Sequence, residues 1–398
     1  MTTIEDRLRD AMAARAETVQ DDGRPRVAPS PRRGPAAARW WWAPVAVATA
    51  TAAVVGVTVL GTRTIGSAPP SAAAPKAAAA GRLSPPVAQV WPGAVHEIPA
   101  TGPGGRVFKP DVFVADRVVA GRGLSGNRLD GIWAYDLDKR VFTQVAQLQD
   151  VQVMNEPLVF GDGYLAWSAV RDDRSEIWAV PVTGGVPQRI AALRAVLSSD
   201  NAYSGLKKLA IADGMAVWSP PDGGVYRAPL KGGNVSLISG TRGFYLVEWP
   251  WAGWPAQDRT VDHPVARPLE HLKNVLTGRS SNAVAAKKRS SWTDCGQVWC
   301  LNGTTAWRRD GTDRRDLPGT AVGTLISGRF VLLNQKDASG GQVLALHDVA
   351  TKRTGRLFPV PTRRGDKAPP TLNTQEGVVW FRTAQGTQVV IDLKAAGR

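Results

Sequence analysis

Asp162-Gly163-Tyr164-Leu165-Ala166-Trp167, followed at once by a second apolar run at Ile177-Trp178-Ala179-Val180, reads as a tight turn and two short strands. Asp and Gly accept the positive φ of a hairpin turn, and the aromatic and β-branched residues that follow favour a pleated, half-buried surface. The same order recurs. Asp213-Gly214-Met215-Ala216-Val217-Trp218 precedes Val225-Tyr226-Arg227-Ala228, and Glu376-Gly377-Val378-Val379-Trp380-Phe381 precedes Val389-Val390-Ile391. Looser copies start near Asp116, Gly296 and Gly328, with second strands at 132–135, 305–308 and 343–346. A Gly-Gly turn and one more short strand close two of the units, at 183–190 and 231–238.

The second strands set the period. Trp133 to Trp178 is 45 residues, Trp178 to Tyr226 is 48, Trp307 to Leu344 is 37, and Leu344 to Val389 is 45. Tyr226 to Trp307 is 81, room for two units with a degenerate one between them, centred near Val265-Ala266-Arg267. Units of about 40–50 residues, each of three or four short strands, are the signature of propeller blades. The spacing therefore predicts an all-β fold, a seven-bladed (or six-bladed) β-propeller over residues 87–398. The last unit, about 370–393, supplies three strands before the chain ends. Val95-His96-Glu97-Ile98-Pro99 has the look of a closing strand that would complete that blade and remove its open edge. The pattern of Asp-Gly turn, Trp-bearing strand, Ile-Trp strand and Gly-Gly turn is similar to the WD-like repeats of TolB-type propellers. The resemblance spans residues 95–393 and implies the fold; propellers host binding, scaffolding and catalysis alike, so it implies no activity.

Residues 40–61 are a different polymer. This uncharged apolar run of 22 residues would make a helix of about 33 Å, enough to cross a bilayer core of about 30 Å. Arg32, Arg33 and Arg39 precede it and only Arg63 follows closely, so the positive-inside rule predicts a single-pass span with a cytoplasmic N-terminus and an extracytoplasmic propeller. Trp40, Trp41 and Trp42 suit the interfacial aromatic belt. Two alternatives stay open: a cleaved leader, using the small residues between 71 and 80, and a buried core helix. The tail, 1–39, divides into a short amphipathic helix over about 3–19, with Ile4, Leu8, Met12 and Ala16 on one face, and a basic, proline-rich linker. Such a helix could recruit a cytoplasmic partner. Residues 62–86 form an Ala- and Pro-rich spacer.

Formal net charge is +15, of which residues 1–80 carry +4 (10 Lys and Arg against 6 Asp and Glu) and the remainder +11. On the predicted topology that charge lies outside the cytoplasm. Anionic headgroups or envelope polyanions then suit it better than nucleic acid, with which no partnership is expected; solvated loops with no partner are the other reading of the charge. The two cysteines, Cys295 and Cys300, need a turn at Gly296-Gln297 to meet. An extracytoplasmic setting favours a disulfide, with two buried free thiols as the alternative.

Catalytic groups are sparse. The four histidines, His96, His263, His271 and His347, show no metal-ligand spacing, and there is no nucleophile elbow or Walker loop. Gly121-Arg122-Gly123-Leu124-Ser125-Gly126 satisfies G-x-G-x-x-G, but a strand rather than a helix follows, so it reads as part of a β-hairpin. No catalytic, metal or cofactor site is expected. The candidate binding residues are Trp249, Trp251 and Trp254, whose Pro- and Gly-broken run predicts a loop or an irregular strand; on a loop they could stack on a sugar or anchor a peptide. Packing over the degenerate fourth blade is the competing role. The sequence favours a non-catalytic binding, scaffold or sensor module with an envelope protein or glycan ligand. The alternative is a cell-envelope enzyme, a glycan-acting hydrolase or lyase with carboxylates at the channel.

Overall fold

The computed structural model describes residues 83–398, apart from 127, 149–156, 172–173, 195, 198–202, 205, 207, 255–268, 270, 285–293, 339, 361–371 and 376. The tail, the apolar run at 40–61 and the predicted helix at 3–19 lie outside the described residues. Among those described, no helix is long and apolar enough to cross a membrane.

Seven four-stranded antiparallel sheets follow one another along the chain, each a simple meander. Blade 1 covers residues 107–147, blade 2 159–194, blade 3 208–237, blade 4 245–282, blade 5 294–316 and blade 6 320–360. Blade 7 combines 372–392 with Val95–Pro99. The fold is a seven-bladed β-propeller, with a two-stranded hairpin of Val196–Leu197 and Tyr203–Ser204 between blades 2 and 3. The unit read from sequence is the second, third and fourth strand of a blade. In blade 2 these are Tyr164–Arg171, Arg174–Pro181 and Gln188–Arg194, and the first strand, Val159–Gly161, precedes the Asp-Gly turn. The Gly-x-Gly stretch lies in Val118–Ser125, second strand of blade 1. A Cβ on Gly121 would fall 2.2 Å from Lys109 O, so close strand approach, not phosphate, demands that glycine.

Closure of the ring is as the sequence suggests. Val95–Pro99 pairs along its length with Thr387–Asp392, running from Val95↔Ile391 to Pro99↔Thr387. Ile98, 1% exposed, joins Val378, Trp380 and Val390 of blade 7 to Phe108, Val119 and Tyr135 of blade 1. Gln388 Nε2 donates to Phe108 O at 2.7 Å across the same seam. Upstream, Val87, Trp91 and Ala94 pack into the core shared by blades 6 and 7, against Phe330, Phe358 and Ile391. Arg356 N donates to Pro85 O at 2.8 Å, so the entering chain is laid along the outer strand of blade 6.

Neighbouring blades are also tied turn to turn. Asp162 holds φ 48° and its Oδ2 accepts the amide of Gly214, in the next blade's turn, at 2.7 Å. Ser327 Oγ accepts the amide of Gly377 at 3.0 Å in the same way between blades 6 and 7. Asp162 and Ser327 at these tips thus bind backbone, and the positive φ shared by Asp162 and Asp213 accounts for Asp at the turn. Five in-strand tryptophans, Trp167, Trp218, Trp299, Trp307 and Trp380, are buried core, while Trp133 and Trp178 are half-buried. Cys295 lies directly opposite Cys300 in a hairpin of Asp294–Cys295 with Trp299–Asn302, and the two sulfurs are bonded.

Candidate functional site

The first strands, absent from the sequence pattern, line the middle of the molecule. Those of blades 3 to 7, Lys208–Ala212, Tyr245–Glu248, Asp294–Cys295, Thr320–Ile326 and Leu372–Gln375, all contribute to one cavity of about 450 Å³. That volume suits a side chain or a sugar-sized group, and its wall mixes Tyr245, Gln297 and Thr324 with Leu269, Leu325 and Ile326. Lys208, Glu248 and Asp294 bring charge.

Blade 4 supplies four consecutive residues of the wall, Tyr245 to Glu248, and blade 3 holds them in place. Leu246 is buried, and its amide donates to Ser219 Oγ at 2.7 Å. Tyr245 OH donates to Pro221 O at 2.6 Å, so its ring stands against the strand-connecting loop of blade 3. Glu248, at the far end of the strand, is exposed. Asp294 is different. Its Oδ1 accepts the amide of Cys295 at 2.8 Å and its Oδ2 the amide of Leu325, in blade 6, at 2.7 Å. Burial pushes its carboxyl above the usual range and the two amides pull it back, with burial prevailing.

Behind this wall sits Arg309, 3% exposed. Nη1 donates to Gly296 O at 2.9 Å and Nη2 to Leu269 O at 2.5 Å, so one guanidinium joins backbone of blades 4 and 5 behind the cavity. Burial lowers its pKa to about 10, which still leaves it charged at neutral pH. The Cys295–Cys300 bond fixes the same strand from the outer side. Asp294, Gly296 and Gln297 therefore project from a hairpin held by a disulfide, an arginine and a carboxylate-to-amide strut.

Of the two conformations the sequence allows for the three candidate tryptophans, the irregular strand is the one observed. Trp251–Trp254 is the second strand of blade 4, paired with Tyr245–Glu248 on one side and His271–Asn274 on the other. A residue-wise break between Leu246 and Glu248 absorbs the irregularity that Pro250 and Gly253 signal. Trp249 and Pro250 make the turn, and Trp249 packs on the Val217, Leu246 and Ala252 cluster. Trp251 is half-buried, whereas Trp254 is 46% exposed with its ring centroid 5.5 Å from that of His271. His271 Nδ1 lies 2.6 Å from Asn282 Oδ1, which completes a Trp-His-Asn row across three strands. The structure thus separates the trio: one packs, one is intermediate, one faces solvent. None lines the cavity. The fourth blade takes its third strand from His271–Asn274; residues 265–267 lie outside the described residues.

Glu248, Asp294, Lys208 and Gln297 were not singled out by sequence. The available signal was positional: each lies in, or directly after, the few residues before or at a turn of the repeat, where a first strand must fit. Among the described residues no group of three or more His, Cys, Asp and Glu is placed to hold a metal ion.

No protein-family model matches the sequence, and no curated protein sequence does either. Solved structures match in fold. YCF48 bound to D1 peptide is 10% identical, covering 75% of this chain and 95% of that one at a TM-score of 0.43. BamB from Moraxella catarrhalis is 12% identical, over 72% and 85%, with a TM-score of 0.35. TolB from Acinetobacter baumannii is 10% identical, over 76% and 64%, with a TM-score of 0.26. What these likenesses share with this chain is the propeller, and at such distance they say nothing about its site.

Proposed function

We propose that the chain is a membrane-anchored, extracytoplasmic propeller that works as a binding or scaffold module, with its central cavity receiving part of an envelope protein or glycan. The supporting observation is how the cavity spends its carboxylates. Both oxygens of Asp294 accept backbone amides, a strut between blades 5 and 6, which leaves Glu248 as the exposed acid of the lining. A wall with one exposed carboxylate among its described residues, beside hydroxyls, an amide and leucines, reads a ligand better than it transforms one. The anchor rests on the composition of residues 40–61. Protease on intact cells should digest the chain beyond about residue 80 and spare the tail; a protected propeller would refute the topology.

The enzyme reading keeps one observation in its favour: Asp294, with its carboxyl raised by burial, shares a cavity with Glu248, and glycan hydrolysis uses two such acids. One experiment separates the readings. Thr324→Trp, filling the cavity from an exposed strand position, should abolish retention of the envelope ligand, and Glu248→Gln should keep it. Release of glycan fragments by the native chain but not by Glu248→Gln would establish catalysis instead.

A further inference from the structure

Of the aromatic rings among the described residues, Trp254 is the one that stands exposed, at 46%. It ends the second strand of blade 4, at the end of the sheet away from the Trp249-Pro250 turn. The register sets His271 directly opposite it on the third strand, and Asn282 directly opposite His271 on the fourth. Residues so opposed send their side chains to one face, so the three make a row about 10 Å long at roughly 4.8 Å per strand.

That face is the one turned toward blade 3. Ala252, two residues before Trp254, packs with Val217 and Val225 of blade 3, and Lys273, opposite Ala252, donates to Gly240 O at 3.2 Å. In blades 1 and 2 a fourth strand of seven residues, Val141–Gln147 or Gln188–Arg194, packs on the blade that follows. The fourth strand of blade 3 is only Ser236–Leu237, after which the chain turns at Gly240 with φ 69°. The Trp254 row is left uncovered for that reason.

Its chemistry is mixed and ordered. The His271 ring braces the indole, with centroids 5.5 Å apart and planes at 32°. His271 Nδ1 lies 2.6 Å from Asn282 Oδ1. An amide oxygen only accepts, so Nδ1 carries the hydrogen and, in the uncharged ring, Nε2 keeps a lone pair. Asn282 is exposed and keeps its Nδ2 hydrogens to donate. The row therefore offers a flat apolar ring, then an acceptor, then a donor, with no charge of its own. A pyranose matches each part: its C–H side carries slight positive charge that suits the negative face of an indole, and its hydroxyls both donate and accept.

We propose that this row is a saccharide-binding platform for an extended β-1,4-linked glycan. One ring stacks on Trp254, and the hydroxyls of the next meet His271 Nε2 and Asn282 Nδ2. The row's length is that of about two sugar rings, and its straight course suits a chain whose successive rings stay in line. The platform is separate from the central cavity and independent of the membrane anchor.

The test is titration calorimetry on the full chain with two probes, cellotetraose and maltotetraose. Cellotetraose should bind, and maltotetraose, whose α-linkages turn successive rings out of line, should bind at least about threefold more weakly, the worth of one misplaced hydrogen bond. Trp254→Ala, at a ring half in solvent, should weaken cellotetraose by about tenfold or more, and Trp254→Tyr, which keeps a flat ring, should recover part of that loss. Asn282→Ala should cost about threefold to tenfold. Thr324→Trp, which fills the central cavity, should bind cellotetraose as the native chain does. No binding of cellotetraose, binding unchanged by Trp254→Ala, binding lost in Thr324→Trp, or maltotetraose held as tightly as cellotetraose would each overturn the proposal.

Discussion

Ile98→Ala tests whether an N-terminal strand locks the ring. Ile98 is 1% exposed and packs with residues of both blade 7 and blade 1, so truncation opens a hole at the seam where the propeller's first and last blades meet. Removing three carbons from a buried Ile costs about 2–5 kcal/mol, the spread depending on how far the site can collapse. Here Phe108, Tyr135 and Trp380 surround it, and large rings relax poorly, so about 3 kcal/mol is the expected loss. With an unfolding entropy of about 2.1 cal/mol/K per residue, a domain of roughly 300 residues then shifts its melting temperature by roughly 4–5 °C. Val141→Ala is the control: Val141 is also strand, at the outer edge of blade 1, but 51% exposed, and should move the midpoint by less than about 2 °C. Deleting residues 87–100 goes further. It removes the five-residue pairing with Thr387–Asp392 and the Val87, Trp91 and Ala94 contacts, and leaves an open edge on blade 7. Circular dichroism melts of the three variants decide the matter. Ile98→Ala melting with the native chain, or the deletion variant melting cooperatively at the native temperature, would refute closure by this strand.

Asp162→Ala should lose about 1 kcal/mol by stripping the Gly214 amide of its acceptor, while Asp162→Asn, which keeps a side-chain oxygen, should lose less; urea titration measures both. Replacing Cys295 and Cys300 together by Ala should cost about 2 kcal/mol, the chain-entropy value for so short a loop, and hydrogen exchange at the Leu325 amide should accelerate as the Asp294 hairpin loosens. His347 is buried, with Nδ1 2.7 Å from Thr354 Oγ1, and burial lowers its pKa from 6.5 to about 4. The unfolded chain therefore binds the proton first: its stabilising effect is complete above about pH 6.5 and is lost as pH falls toward 4, by about 3 kcal/mol in all. His347→Gln should flatten that part of the native pH profile, and an unchanged slope between pH 7 and 4.5 would exclude the assignment. Trp254→Ala should leave the melting temperature within about 2 °C, because the ring is half in solvent, whereas Trp249→Ala should destabilise the blade 3–4 contact measurably.

What the sequence made legible follows from where the hydrophobic effect acts twice. Second and third strands are buried on both faces, so Leu165, Trp167, Ile177 and Val180 form dense apolar runs that stand out at a regular spacing. Fourth strands show through their Gly-Gly turns. First strands are buried on one side and face the cavity on the other, and in blade 5 the first strand is only Asp294–Cys295. Two residues carry no periodicity, so Asp294 stayed invisible although its hairpin was anticipated from the cysteines. Blade 4 stayed ambiguous for a related reason. Pro250 and Gly253 are loop formers by propensity, but Trp251–Trp254 is sandwiched between two partner strands, and a register shift accommodates what the sequence makes irregular. The pairing outweighs the propensity.

Blade 4 is also where the ring departs from its own repeat, and the departure shapes the cavity. At blades 2 to 3 and 6 to 7, a side chain at one turn tip accepts the next tip's glycine amide. Asp213, at the tip of blade 3, keeps the positive φ of 54° that suits this role, but the corresponding turn of blade 4 is Trp249-Pro250, and proline offers no N–H. The tie is rebuilt further in: Ser219 Oγ takes the amide of Leu246, and Tyr245 reaches back to Pro221. Blade 5 substitutes again, with Asp294 bonding the backbone of blade 6 from its first strand and not from its turn. A repeat held by identical ties would present the same residues to the channel seven times over. Here the ties move from the tips to the first strands in the two blades that carry Glu248 and Asp294, so the side chains that set the cavity's charge are positioned by contacts found nowhere in the repeating unit. The same logic makes those positions poor candidates for recovery from any periodic signal: they are defined by the places where the period breaks.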